Sequence, residues 1–389
     1  MLSFRTAELS QQFTVELADK IRAIESQGNQ VIKFNVGDIN LKTPKSIREA
    51  AYRAMNEGET KYSHSRGLPA LRKCIAEFYH PRYDSDIDPE SQILVSVGAI
   101  NSFFSTCAAL LNNGDEVLCP DPAWATYRGI VAFCGGTPVA YPSPMDASDT
   151  KLDYDTLKSL INEKTKMIVL GTPGNPTGYE LTPKEIDVAH EIAKDHDLWL
   201  VLDDIYANVR YTDSSPPMLQ KLGSFSRKLI LISGFSKCFA MTGWRLGYSI
   251  GPPEFINEAL KASQHCITNV STFSQYGAID AMKSYPKVCQ PIIGELKGRA
   301  LILVAEMNRH DLPVDMPNAG LYIFPSIARF HTNPLDFAND LLNDYHTAVV
   351  PGCVYGKRGI ERIRISFGNV TKKEIPAGVE MIAECLSRA

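Results

Sequence analysis

The chain has 389 residues, 44% of them hydrophobic and 22% charged, with a formal net charge of -4. That balance is ordinary for a soluble globular protein and leaves room for two domains around a sizeable core. It offers no basic run for nucleic acid and no apolar stretch of bilayer-spanning length.

The N-terminal residues Arg5, Glu8, Glu16, Asp19 and Lys20 come without an apolar h-region, which speaks against a secretory signal. The nine cysteines are scattered, with no C-x-x-C pair and no histidine cluster beside them. This is the pattern of reduced thiols in a cytoplasm, without a disulfide framework or a metal site.

The first 28 residues are amphipathic and predict a helix. A short strand over 31–38 follows and runs into a turn. Helices are predicted over 46–57 and 68–79. From residue 93 the rhythm changes. Short apolar runs at 93–96, 116–119, 166–170, 198–202 and 229–232 alternate with helical patterns, among them 101–111 and 183–195. Alternation of this kind predicts an α/β domain with a mostly parallel sheet, buried on both faces. One helix is then predicted over 254–284 and another over 291–310, followed by strands at 321–324 and 362–366. The expected division is an N-terminal segment 1–45 that joins a smaller α+β domain at 291–389, with the large α/β domain at 46–290.

In an open α/β sheet the ligand sits beyond the carboxyl ends of the strands, so the polar residues there belong together. The run at 93–96 leads into Gly98-Ala99-Ile100, which opens a helix. Small residues at a helix start let backbone N–H groups approach a phosphate. The strand at 116–119 leads to Asp121-Pro122-Ala123-Trp124, where the tryptophan can lie flat on a cofactor ring. After 166–170 comes Gly171-Thr-Pro-Gly-Asn175-Pro-Thr-Gly178, a loop whose prolines and glycines aim the Asn175 amide. After 198–202 comes Asp203-Asp204-Ile205-Tyr206. A carboxylate there can hold a ring nitrogen protonated and the phenol can bond a ring hydroxyl; either acid could instead cap a helix.

The segment Ser233-Gly-Phe-Ser-Lys237-Cys-Phe-Ala-Met-Thr-Gly-Trp-Arg245 carries the most information. It places a lysine at a strand end and an arginine eight residues on. Such a lysine can form a Schiff base with an aldehyde cofactor, and the arginine can clamp the cofactor's phosphate.

Together these pieces resemble the class I/II aminotransferases of the aspartate aminotransferase superfamily, fold type I enzymes of pyridoxal 5′-phosphate (PLP). The resemblance runs from Val31 to the C-terminus. It implies a large domain with a mostly parallel central sheet sandwiched by helices plus a smaller α+β domain, and a ping-pong exchange of an amino group between an amino acid donor and a 2-oxo acid acceptor. It makes Lys237 the Schiff-base lysine and proton-transfer base, and Asp203 the partner of the pyridine nitrogen. Asn175 and Tyr206 become the pair at the phenolic oxygen. Arg245, the Ala99 and Ile100 backbone and Ser236 become the phosphate site, and Trp124 the stacking aromatic. Arg364 and Gly37 become the substrate carboxylate contacts, beside Trp124 and Asn175. Tyr62 becomes a contact to the neighbouring subunit's phosphate, hence a homodimer with shared active sites.

Three positions depart from the family pattern: Ile100 where a polar residue is common, Gly234 where a serine is, and His64-Ser65 after the tyrosine. With Gly234 in place, Ser236 or Ser233 is left to serve the phosphate. Ile39, His64, His265 and Asn269 are candidate neighbours of the substrate side chain. The alternative on the same scaffold is a β-eliminating C–S lyase or a related synthase; the Met241-to-Arg245 stretch favours the transaminase.

Overall fold

The computed structural model describes residues 6, 13–83, 85–146, 152–217, 227–330 and 333–388. Its strands in chain order are β1 (Ile32–Lys33), β2 (Ile93–Ser96), β3 (Glu116–Asp121), β4 (Thr137–Pro142), β5 (Thr165–Gly171), β6 (Trp199–Asp203), β7 (Leu229–Gly234) and β8 (Gly247–Ile250). The shorter β9 (Tyr322–Ile323), β10 (Thr347–Ala348), β11 (Val350–Pro351) and β12 (Ile363–Ser366) follow.

Strands β2 to β8 form one seven-stranded sheet in the order β2-β8-β7-β6-β5-β3-β4. From β7 to β4 every neighbouring pair is parallel, and β8 lies antiparallel between β2 and β7. The central strands read as continuous apolar runs because both faces are covered. Alternate residues feed opposite sides: Ile168 and Leu170 join one buried cluster, Met167 and Val169 the other.

Two strands of this sheet have no apolar run to announce them. β4 contains Pro138 and Pro142 and is only partly buried. It is an edge strand, where a missing N–H costs little. β8 is Gly-Tyr-Ser-Ile, held by pairing on both sides.

The single helix expected over 254–284 is two helices, Pro253–Ile267 and Thr272–Lys283. The break falls at Thr268, whose φ of 58° is incompatible with a continuing helix. Of the strand expected over 31–38, only β1 pairs, and it does so with β10, in parallel. The N-terminal helix Phe13–Ser26 packs Leu17 and Ile21 against Phe324, Leu342 and Tyr355, so the two ends of the chain share a core. The antiparallel trio β11-β12-β9 completes that part. Among the described residues no helix is long and apolar enough to cross a membrane.

The loop between β5 and the helix Pro183–Asp195 is fastened at its far end by one buried acid. Glu185 completes a capping box with Thr182. Its carboxylate accepts from the Thr182 N–H at 2.7 Å, the Leu152 N–H at 3.0 Å and the Tyr179 hydroxyl at 3.3 Å. Glu185→Ala leaves those donors stranded. It is expected to lower the unfolding free energy by roughly 2–4 kcal/mol, with Glu185→Gln losing less. Urea unfolding reads this directly, and an unchanged midpoint for Glu185→Ala would contradict it.

Candidate functional site

The chain reversal between β7 and β8 builds the first part of the site. Gly234 and Gly247 stand opposite each other in that antiparallel pair, so the excursion 235–246 leaves and re-enters the sheet at one point. Two non-glycine residues in it take left-handed backbone, Ala240 at φ 50° and Arg245 at φ 54°. Each costs on the order of 1 kcal/mol or more, which the surroundings must offset. Thr43 supplies part of that support: its hydroxyl donates to the Ala240 carbonyl at 2.6 Å and accepts from the Trp244 indole at 3.1 Å.

Arg245 is thereby turned toward the start of the helix Gly98–Leu110. That helix has no side-chain cap, so its first N–H groups remain available. Glycine is required on both sides of this approach. A Cβ at Gly98, which sits at φ 78°, would stand 2.7 Å from Arg245 Nη2, and one at Gly247 would stand 2.5 Å from the Ala99 nitrogen. The result is a cradle of backbone donors with a guanidinium beside it, the chemistry of a phosphate site.

Parallel pairing builds the second part. Gly171 and Asp203 are register partners at the ends of β5 and β6, which sets the Asn175 loop beside the carboxylate. Within that loop the Thr172–Pro173 and Asn175–Pro176 bonds are cis. Asp203 is 7% exposed. Its Oδ2 accepts from the Tyr127 hydroxyl at 2.5 Å and its Oδ1 from the Ile205 N–H at 3.2 Å. Burial pushes its carboxyl above the ordinary value, and these two hydrogen bonds pull the other way. Burial, then the Asp203 charge, hold the Tyr127 phenol well above its ordinary value, so it remains a donor. Asp204, the other acid of the pair, does not line the cleft. Burial lifts its carboxyl to about 7.

One cleft of about 1170 Å³ collects these elements. Ala99, Ile100, Trp124, Asn175, Asp203, Tyr206, Ser236, Lys237, Arg245, Gly37 and Arg364 all line it. Lys237 Nζ donates to the Gly37 carbonyl at 2.5 Å and lies 5.7 Å from the Tyr206 ring centre. Gly37 is close-packed, since a Cβ there would stand 2.4 Å from the Tyr322 hydroxyl. Arg364 Nη1 donates to Asn175 Oδ1 at 3.0 Å and Nη2 to the Asn35 carbonyl at 2.5 Å. Ser236 lines the cleft and Ser233 does not.

Tyr62 lies elsewhere. It is 88% exposed and borders a separate depression with Asn269, Ser271 and Phe273. Ile39, His64, His265 and Asn269 are not among the residues lining the main cleft.

Three side chains of the cleft are missing from the sequence reading. Tyr127 orders Asp203. Tyr322 shares a 2.7 Å hydroxyl contact with Tyr206. Tyr355 stands with its ring centre 5.1 Å from the Arg364 guanidinium. Tyr127 comes three residues after Trp124, and Tyr322 sits in an otherwise apolar strand; those were the available signals.

PLP, the cofactor implied by the resemblance, is tested by these observations. A buried carboxylate has no basic side chain paired with it among the described residues, and a glycine-lined anion cradle belongs to the same cleft. A ligand with a cationic ring nitrogen and a phosphate satisfies both, so the residues present fit the group.

Comparison with known proteins agrees. The family model described as aminotransferase class I and II matches residues 29–382. An aspartate aminotransferase of Pyrococcus abyssi is 34% identical over 91% of this chain and 91% of its own length. The (5-formylfuran-3-yl)methyl phosphate transaminase of Methanocaldococcus jannaschii is 31% identical over the whole of both chains. The crystal structure of an aromatic aminotransferase from Pyrococcus horikoshii OT3 superposes with a TM-score of 0.88 at 32% identity, covering 96% of this chain and 99% of the other. These are names of transaminases and do not favour the C–S lyase alternative. The chain belongs to the class I and II aminotransferases, and it is a PLP-dependent transaminase.

Proposed function

We propose that the protein moves an amino group between an L-amino acid and a 2-oxo acid in two half-reactions, with Lys237 as the residue that carries the aldehyde cofactor and then the proton. One observation carries this reading: a single cleft presents the Lys237 amine, the buried Asp203 carboxylate and the guanidinium groups of Arg245 and Arg364.

When bound, PLP supplies an electron-withdrawing ring that takes up the electron pair left when a substrate Cα–H bond breaks. The protein's own residues do the rest. Asp203 holds a proton on the ring nitrogen by its charge, and Tyr127 keeps that carboxylate oriented. Asn175 and Tyr206 would hydrogen-bond the ring oxygen. The Ala99 and Ile100 backbone, Ser236 and Arg245 bind the phosphate, and Trp124 covers the ring. Arg364 binds the substrate carboxylate with the N–H groups left over after Asn175 and the Asn35 carbonyl are satisfied, beside Gly37, Trp124 and Asn175. That grip would orient the bonds at Cα and so favour proton transfer over loss of the carboxylate. The Lys237 amine would take the proton from Cα and deliver it to the cofactor's C4′ carbon, and would carry it the other way when a 2-oxo acid is the partner.

The same reading divides the chain into a cofactor-binding domain at 46–290 and a small domain at 291–389 joined by residues 1–45, supported by the pairing of β1 with β10. It also makes the protein a cytoplasmic homodimer in which Tyr62 serves the neighbouring subunit's phosphate. The exposure of that tyrosine beside a depression supports the assembly, and free, scattered cysteines support the compartment.

Lys237→Ala is expected to retain no PLP after borohydride reduction and to lose turnover, while wild type gives a single labelled peptide containing Lys237. A variant labelled at normal stoichiometry, or one still active, would overturn the assignment. For the assembly, light scattering at assay concentration is expected to give twice the 43.0 kDa chain mass, and Tyr62→Phe to lose PLP faster on dialysis. A fully active monomer contradicts the shared site.

A further inference from the structure

Tyr355 is held through its carbonyl and its ring, yet its hydroxyl has no partner. The Tyr355 carbonyl accepts from the Ala123 N–H at 3.0 Å and from Arg128 Nη1 at 3.1 Å. The next residue, Gly356 at φ 150°, packs so closely on Asp121 that a Cβ would overlap the carboxylate. That carboxylate then accepts from the Lys357 and Arg358 N–H groups at 3.1 and 3.3 Å. The ring is set edge-on to Phe324 at 6.2 Å and lies 5.1 Å from the Arg364 guanidinium. The side chain lines the cleft and is 2% exposed.

Among the described residues, three buried polar atoms on cleft-lining side chains lack a hydrogen bond: the Tyr355 hydroxyl, Arg364 Nε and Asn35 Oδ1. They belong to one end of the cleft, since the Asn35 backbone itself holds Arg364. A buried polar group without a partner is costly, and in a binding cleft a ligand atom is its natural complement. Burial keeps the phenol well above its ordinary value even though the nearby Arg364 charge pulls it down. The hydroxyl is therefore a neutral donor throughout the working pH range. The group it can serve is an anionic acceptor drawn to Arg364.

We propose that the Tyr355 hydroxyl is a substrate-binding group that donates to the carboxylate held by Arg364, in both the amino acid and the 2-oxo acid. This rests on the assignment of Arg364 to that carboxylate. A phenylalanine at this position would keep the ring contacts and remove only the donor, so Tyr355→Phe isolates the hydroxyl.

The test uses the PLP-loaded enzyme and single-turnover absorbance changes. The probes are the fastest donor among the standard amino acids and its own 2-oxo acid, with Arg364→Lys measured alongside. Tyr355→Phe is expected to raise the apparent Kd of both probes about tenfold, the loss of one charge-assisted hydrogen bond, with the limiting rate, melting temperature and bound PLP unchanged. Arg364→Lys is expected to raise both further, because an ammonium cannot reproduce the fork. If Arg364→Lys weakens binding and Tyr355→Phe does not, the hydroxyl is not used and the proposal falls while the Arg364 assignment stands. If neither variant weakens binding, the Arg364 assignment falls and takes the proposal with it. A lower melting temperature for Tyr355→Phe with unchanged Kd also overturns the proposal, since the hydroxyl would then be structural.

Discussion

A carboxylate without a cation organises this molecule. Asp203 ends the middle strand of the sheet, is nearly sealed from water, and has for company a phenol and a backbone N–H. Two neutral donors orient a negative charge but do not cancel it. A ligand bearing a positive nitrogen does, so this buried charge selects for such a ligand. The sheet places its neighbours in the cleft relative to it. Gly171 is its register partner on one side, and Ile232, two residues before the end of β7, on the other. The Asn175 loop and the Lys237 segment therefore begin within a strand spacing of that carboxylate.

The reversal of β8 is the second constraint. A sheet parallel throughout would have carried the chain from β7 into a crossover and away from the site. The antiparallel return instead keeps residues 235–246 over the strand ends and brings Arg245 against the start of the helix Gly98–Leu110. Glycines 98 and 247 let backbone and guanidinium come this close, and left-handed Ala240 and Arg245 are the strain that the arrangement stores. Rigidity here has a chemical purpose. Proton transfer at one substrate carbon needs the amine, the ring and the carboxylate clamp in fixed relation, and a loop free to wander would lose that relation.

Much of this was legible in the sequence because the residues that carry chemistry interrupt apolar runs. Lys237, Asp203 and Asn175 each follow a strand that announces itself, and all three line the cleft. What stayed hidden had no such marker. β4 and β8 lack apolar runs because one is an edge strand with prolines and the other is short and held by two neighbours. The break at Thr268 is a single dihedral inside a sequence that otherwise suits a helix. Tyr127, Tyr322 and Tyr355 look like core aromatics along the chain, and nothing in their spacing marks them as lining the cleft. Tyr62 does not line the main cleft of its own chain.

The central claim is that Asp203 keeps the cofactor's ring nitrogen protonated. Nitrogen-15 NMR of the enzyme loaded with ring-labelled PLP reads that proton directly. The account predicts a protonated-pyridine shift for wild type at neutral pH and a neutral-pyridine shift for Asp203→Asn, with Asp204→Asn behaving as wild type. A neutral nitrogen in wild type, or a shift that Asp203→Asn leaves unmoved, would contradict it.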